Sequence, residues 1–326
     1  MCPPFDKNGG FLCQNTKGGN DKMVKIFKTD NKIVNEIENY ETGSWIQMTN
    51  PTIDECMEIV NRYEIDIADV RAALDDEESS RVDIETGYTL ILVDIPAVEI
   101  RHDNEAYTTM PLGIIIAGET IITVCAVETP VLQYFEKGRV RDFSTKKQMR
   151  FVYQILYRAS MVYQIYLRII DKKRTEIEER VSHTTEDKDL INLHELESNL
   201  VYFATSLRAN GVVLDRLSRY GGLKQFPEDK ELIEDVIVEN KQAIEMTAIY
   251  RDIINGTREL LSTIINNRLN NVMKYLASIT IVMAIPTIIS GIFGMNVKVP
   301  FANWSIGFPV VCGSILCISF IAIFVL

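Results

Sequence analysis

Two stretches near the C-terminal end of this chain carry no charge, and they limit its architecture more than any other feature. After Lys274 the only charged residue is Lys298. Residues 275–293 and 305–326 are therefore apolar runs of membrane length, because ~19 residues at ~1.5 Å each nearly match a ~30 Å hydrocarbon core. Trp304 stands at the head of the second run, where an indole suits a lipid–water interface. A short outer loop, residues 294–304, joins the two. The pair reads as two transmembrane α-helices in each copy of the chain, with backbone groups satisfied inside each helix. Arg258, Arg268 and Lys274 precede the first run, against Lys298 alone in the loop. The positive-inside bias then makes this a multi-pass protein of the plasma (inner) membrane with its N-terminal body in the cytoplasm.

The body is as charged as the end is bare. All 45 acidic residues, and every one of the 34 lysines and arginines except Lys298, lie at or before Lys274. An acidic body lacks the basic patch that a nucleic-acid partner requires, and it suits a protein that handles cations. The six cysteines, Cys2, Cys13, Cys56, Cys125, Cys312 and Cys317, contain no CxxC pair. They form neither a zinc framework nor a secreted disulfide scaffold. Residues 1–22 show no signal-peptide pattern and are rich in Gly, Asn and Lys. The folded pattern begins near Met23, so they read as a disordered N-terminal extension.

Residues 23–130 read as a mixed α/β domain. Strands are expected at 23–29, 33–37, 45–48, 88–95, 112–117 and 120–127. Gly118-Glu119 joins the last two in a hairpin-like connection. Thr52 is placed to cap a helix through about Tyr63, whose apolar Ile53, Met57 and Val60 fall at helical spacing. A second short helix covers 67–74. Strands cluster rather than alternate with long helices, which argues for an α+β body and against a doubly wound parallel sheet. Residues 131–222 hold no proline and few glycines. Their apolar positions, such as Phe151, Ile155, Val162, Ile165 and Ile169, predict one long helix to about Val181 and another over 188–220. That is an antiparallel helical hairpin with an acidic, solvated tip. Past Gly221-Gly222 and Pro227 a further helix continues without proline to Pro286. From Glu228 to Phe293 it would be roughly 100 Å long, more than an ordinary domain accommodates. Residues 223–293 thus read as a stalk helix running into the first membrane span.

That span has a distinct face. Met273, Leu276, Thr280, Ala284, Thr287 and Gly291 recur every three or four residues, with Asn270 at the inner end and Asn296 just past the outer one. Small and hydroxyl residues on a membrane helix ordinarily mean close packing. A stripe bracketed by two amides reads as pore lining. One helix has no inside, so several copies must surround an axis, which predicts a homo-oligomer.

Gly294-Met295-Asn296, directly after an apolar helix and before a short loop and a second span, resembles the CorA family of magnesium transporters. The resemblance extends to Asn270-Asn271-Val272-Met273-Lys274 ahead of the first span and Gly307-Phe308-Pro309-Val310-Val311 at the second. With the order of β-rich block, acidic hairpin and very long helix, it covers residues 23–326. It implies a funnel-shaped homopentamer whose first membrane helix lines the pore and whose selectivity filter is Gly294, Met295 and Asn296. Mg²⁺ sheds its waters reluctantly, and a ring of Asn296 amides would accept hydrogen bonds from those waters. Thr287, Thr280 and Asn270 would offer further oxygens, and Met273 and Leu276 an apolar constriction that closes by dewetting. The resemblance also implies regulatory cation sites between subunits, with Asp69 and Asp235 as the matching carboxylates. Intracellular Mg²⁺ would hold the closed state through them. Two features depart from the family pattern. The outer loop carries Lys298 and no acid, and the sequence stops at Leu326 without the usual basic tail.

The function expected from this is uptake of Mg²⁺, with Co²⁺ as a further cargo, driven by the membrane potential. The partners would be copies of the chain and the lipid bilayer, with no nucleic acid and no small-molecule substrate besides metal ions. Nothing points to an enzyme: the sequence has no GxxxxGK loop, no HExxH and no nucleophile elbow. His102, His183 and His194 lack metal-ligand spacing. Two other readings stay open: a transporter for Co²⁺, Ni²⁺ or Zn²⁺, and a membrane-anchored metal sensor or scaffold that conducts nothing. The absence of His and Cys from the stripe favours a hard, hydrated ion.

Overall fold

The computed structural model describes residues 23–101, 104–183, 187–219, 227–295 and 306–325. The expected disordered extension, residues 1–22, lies outside them. Seven strands form one sheet: β1 (Val24–Asp30), β2 (Ile33–Ile37), β3 (Trp45–Thr49), β4 (Arg81–Ile84), β5 (Tyr88–Arg101), β6 (Asn104–Ala117) and β7 (Thr120–Cys125). Their order is β2-β1-β3-β7-β6-β5-β4. Neighbours are antiparallel except β3 and β7, which run parallel with Trp45 opposite Ile121.

Side chains alternate between the two faces of a strand, and here both faces are covered. Ile46, Met48, Leu90, Leu92, Ile115, Ile122 and Val124 pack on one side with Cys56 and Ile59 of α1 (Ile53–Tyr63) and Val70 and Ala72 of α2 (Ile67–Ala72). Gly113 belongs to this face because α2 ends on it: a Cβ there would meet the Cβ of Ala73 at 2.9 Å. On the other side Trp45 is fully buried. Its indole stacks on Phe27 at 4.8 Å and meets Phe151 edge-on at 5.1 Å, while Nε1 donates to Thr123 Oγ1 at 2.9 Å. Edge-to-face aromatic contacts of this kind add to plain area burial. The start of α1 is fixed as expected, since Thr52 and Glu55 form a reciprocal capping box.

Three local expectations are corrected. Strands β5 and β6 run through Pro96 and Pro111, where the sequence suggested strand ends. Both prolines sit where their strand has only one neighbour: β4 covers β5 only over Thr89–Leu92, and β7 covers β6 only over Leu112–Ala117. A missing N–H is tolerated on a free edge. Second, the helix expected from residue 131 is two helices. Pro130 is the first residue of α3 (Pro130–Glu136), capped by Thr129. Gly138, at φ +60°, follows its end. The chain then threads Phe143 into the aromatic core and ties Thr145 to Thr29 by two reciprocal bonds of 3.2 Å before α4 (Gln148–His183) begins. Third, β4 was not legible. Of its four residues Val82 is fully buried, while Arg81 and Asp83 pair with each other.

α4, α5 (Asp187–Arg219) and the first part of α6 (Pro227–Phe293) complete the body. α4 and α5 lie against β5 and β6. Arg150 bonds Glu228 and Asp229 at 2.8 Å each, at the start of α6. Gln164 Nε2 donates to Glu239 Oε2 at 2.7 Å, and Asn240 Nδ2 donates to the Leu207 carbonyl at 3.0 Å. Sheet and helices through Thr257 form one compact unit; residues from Arg258 form a second, made of the rest of α6 and α7 (Gly307–Val325).

Candidate functional site

In the second unit α6 is long and apolar enough to cross a membrane, and α7 is a shorter apolar helix. Among the described residues past Leu261, only Gly307 is buried. The partly covered positions of the apolar stretch of α6 are Ser278, Val282, Ile285, Pro286 and Ile289. At ~100° per residue these share one face. Those of α7, Val311, Cys312, Ile315, Ser319 and Ala322, share another.

The predicted stripe lies on the opposite side. At the same ~100° per residue, the centre of Met273, Leu276, Thr280, Ala284, Thr287 and Gly291 falls about 180° from the centre of the covered face. All six, and Asn270, are exposed. Met273 and Leu276 are 61% and 62% exposed.

The hydroxyls on this stripe are oriented. Thr280 Oγ1 donates to the Leu276 carbonyl at 2.8 Å and Thr287 Oγ1 to the Met283 carbonyl at 3.0 Å. Each has used its one proton, so what it presents outward is acceptor lone pairs. Water around a cation points its hydrogens away from the ion, so acceptors are what a hydrated cation meets favourably.

At the head of the stripe the helix closes tightly. Gly294 N donates to the Ser290 carbonyl at 2.9 Å, and a Cβ on Gly294 would lie 3.4 Å from that oxygen. Met295 follows, exposed. Asn296, Lys298 and Trp304 lie outside the described residues, so two of the three filter positions are placed and the amide is not.

The two regulatory candidates sit in the first unit. Asp69, on α2, is half-buried, and its Oδ2 accepts from the Tyr88 hydroxyl at 2.6 Å. Tyr88 in turn accepts from the Asp66 amide at 3.3 Å. Burial, then the bond to Asp69, pushes Tyr88 up to about 12. Asp235, on α6, is exposed. Burial raises Tyr157, and the charges of Glu239 and Asp235 add to that. Among the described residues of one chain, no three His, Cys, Asp or Glu side chains converge as a metal site. Tyr88 was missed from sequence, for an aromatic residue at a strand start gives no sign that it holds a carboxylate 19 positions earlier.

Residues 40–326 match the family described as CorA-like Mg²⁺ transporter protein. The chain belongs to that family. The cobalt/magnesium transport protein CorA of Methanocaldococcus jannaschii is 28% identical over 295 residues, covering 86% of this chain and 89% of the relative. The complete structure of the CorA magnesium transporter from the same organism superposes with a TM-score of 0.80 at 25% identity, over 93% of this chain and 97% of that one. Full-length CmaX shares the fold at 14% identity, with a TM-score of 0.67 over 92% and 95% of the two chains. The α/β body and long helix are thus the CorA fold.

Proposed function

We propose that this chain is a divalent-cation channel that takes up Mg²⁺, with Co²⁺ as a second cargo. The observation that carries the reading is the acceptor stripe on the fully exposed face of α6. A bare row of apolar, small and acceptor groups on a membrane helix has a purpose if copies of the chain turn it toward a shared axis. Five copies, as the family resemblance implies, would place Thr280 and Thr287 as rings of hydroxyl acceptors. Met273 and Leu276 would be apolar rings below them, and Gly294, Met295 and Asn296 the mouth. The Asn296 amide would hold the ion with its water shell in place. The apolar rings would pass it only when wide enough to stay wet. Entry would be driven by the potential, about 2.3 kcal/mol per charge per 100 mV and so about 4.6 for a divalent ion.

For this geometry residues 275–293 and 305–326 both span the bilayer, with the body in the cytoplasm. The 19 residues of α7 make about 29 Å of helix, close to the ~30 Å needed. Asp69 and Asp235 would face each other across subunits. Their two carboxylates repel until a divalent ion, keeping most of its waters, bridges them. The Tyr88 bond leaves Asp69 Oδ1 for that role. Loss of intracellular Mg²⁺ would then loosen the closed state.

Uptake of Mg²⁺ into vesicles reconstituted with the full chain tests the pore. Asn296→Ala is expected to abolish it; equal uptake by the variant would sink the pore assignment and leave the sensor reading. Competition by Co²⁺, Ni²⁺ and Zn²⁺ in the same assay ranks the cargo. The regulatory pair is tested by protease sensitivity across a Mg²⁺ series. Asp235→Asn is expected to remove the protection that Mg²⁺ gives, and an unchanged protection curve would dismiss the pair.

A further inference from the structure

Two acids at the start of α2 have different work, and Tyr88 divides it between them. Asp66 is spent on the helix: its Oδ1 accepts from the Ala68 amide at 2.8 Å and caps α2. Its backbone N–H donates to the Tyr88 oxygen at 3.3 Å, and the Tyr88 hydroxyl donates to Asp69 Oδ2 at 2.6 Å. An N–H can only donate, so the phenol accepts on that side and gives its one proton to Asp69. The ring is not free to swing away and release the carboxylate. Tyr88 is 8% exposed and belongs to the core beneath α2, with Ile65, Val70 and Ala73. Its backbone is fixed as well, opposite Ala117 of β6, and its carbonyl accepts from the Glu85 amide at 3.0 Å.

The bond does more than tie α2 to the sheet. A carboxylate with both oxygens open takes a cation through one of them or through the two together. Asp69 has one oxygen occupied by a proton donor, and among the described residues nothing else bonds the group. It is half-buried, so the free Oδ1 is what it offers a ligand. The common divalent cations differ on this point. Ca²⁺ takes about six to eight oxygens in a flexible shell and readily uses both oxygens of one carboxylate. Mg²⁺ is smaller, insists on an octahedron and keeps several of its waters, so a single carboxylate oxygen suits it.

We propose that Tyr88 is a specificity-determining residue of the regulatory site: by occupying Asp69 Oδ2 it limits the site to a cation held through one oxygen or through its waters, and so favours Mg²⁺ over Ca²⁺. This rests on the reading of Asp69 and Asp235 as an intersubunit pair. It adds what the pair alone lacks, because two unrestrained carboxylates accept either ion. Asp235 is exposed, so the restriction comes from the Asp69 side. Tyr88 touches no metal in this scheme; it acts through the oxygen it withholds.

The test is protease sensitivity of the full chain in detergent across a Mg²⁺ series and, separately, a Ca²⁺ series. Mg²⁺ is expected to protect the parent at lower concentration than Ca²⁺. Tyr88→Phe keeps the ring and its packing, and a cation-free melting curve checks that it is folded. In this variant the Ca²⁺ midpoint should fall about tenfold relative to the Mg²⁺ midpoint, the effect of losing one hydrogen bond to a charged group. Adding Asp69→Asn to Tyr88→Phe should erase that gain, which a general loosening of the core does not do. A parent that treats the two ions alike, or a Tyr88→Phe variant with the parent's ratio of midpoints, overturns the proposal; if Asp235→Asn still removes protection, the regulatory pair survives that result. Protection that Asp235→Asn leaves intact dismisses the pair and the proposal with it.

Discussion

The sheet-bearing body and the apolar helices from residue 258 solve the same problem in opposite ways. In the body, the chain covers its own apolar surface: Trp45, Phe151, Tyr163 and Phe203 are all fully buried. Beyond Leu261, large apolar side chains such as Leu276, Met283, Ile288 and Phe320 are more than half exposed. The first region is finished by its own sequence. The second is finished only by what surrounds it, lipid or further copies of itself. A substitution should therefore be read out differently in the two: as stability in the body, as transport in the helices.

The largest effect is expected at Trp45. Trp45→Ala removes the ring that Phe27, Phe135, Phe143 and Phe151 all touch. A loss of about 3–5 kcal/mol in denaturant unfolding is expected from a large-to-small core change. A loss under about 1 kcal/mol would mean that the aromatic cluster repacks and the body is less self-sufficient than its burial implies.

A smaller, pH-dependent effect is expected at Asp94. Its backbone N–H donates to Asn210 Oδ1 at 2.9 Å, and its carbonyl accepts from Asn210 Nδ2 at 2.7 Å and the Tyr163 hydroxyl at 3.1 Å. Burial raises its carboxyl above the ordinary value, against the pull of the Ser206 and Ser80 hydroxyls. The folded state thus keeps this proton to a higher pH than the unfolded chain does. Its contribution is fully present below the ordinary carboxylate value and is lost as pH rises through the raised one. Asp94→Asn should gain stability relative to the parent across that window and show a flatter pH profile. Parallel pH profiles for the two proteins would remove Asp94 as the cause.

The smallest effect on stability, and the sharpest test of the contrast, is at Thr280 and Thr287. Replacing both with Val keeps shape and removes two acceptors from an exposed stripe. Unfolding of the body should change by less than about 0.5 kcal/mol, while Mg²⁺ flux in vesicles falls. If the double variant unfolds much more easily with flux intact, the stripe is a packing face and the contrast fails there.

Periodicity and capping carried most of the architecture. The N-cap at Thr52, the uninterrupted α6 and the Gly118 turn were readable because each depends on residues near in sequence. What was not readable depends on distant neighbours. Pro96 and Pro111 break strands only if both strand edges are occupied, and the length of β4 and β7 decides that. Pro130 reads alike as a helix start or a boundary until Phe135 and Phe143 are seen to meet Trp45. At the site, the stripe was visible as a spacing. That Thr280 and Thr287 have turned their protons inward, and that Tyr88 holds Asp69, are statements about orientation, which a spacing does not contain.

The parallel contact of β3 with β7 also sets an order of events. It joins residues 45–49 to residues 121–125 and, among the described residues, is the one strand pairing between β2-β1-β3 and β7-β6-β5-β4. During synthesis the first three strands wait, with the β3 edge open, until the whole β5–β6 hairpin and β7 have emerged. Closing a connection that long is slow compared with forming hairpins. In the interval an open edge bearing Trp45, Ile46 and Met48 is the segment most exposed to pairing with another nascent chain. Soluble yield, more than final stability, is where damage to β7 would first be felt.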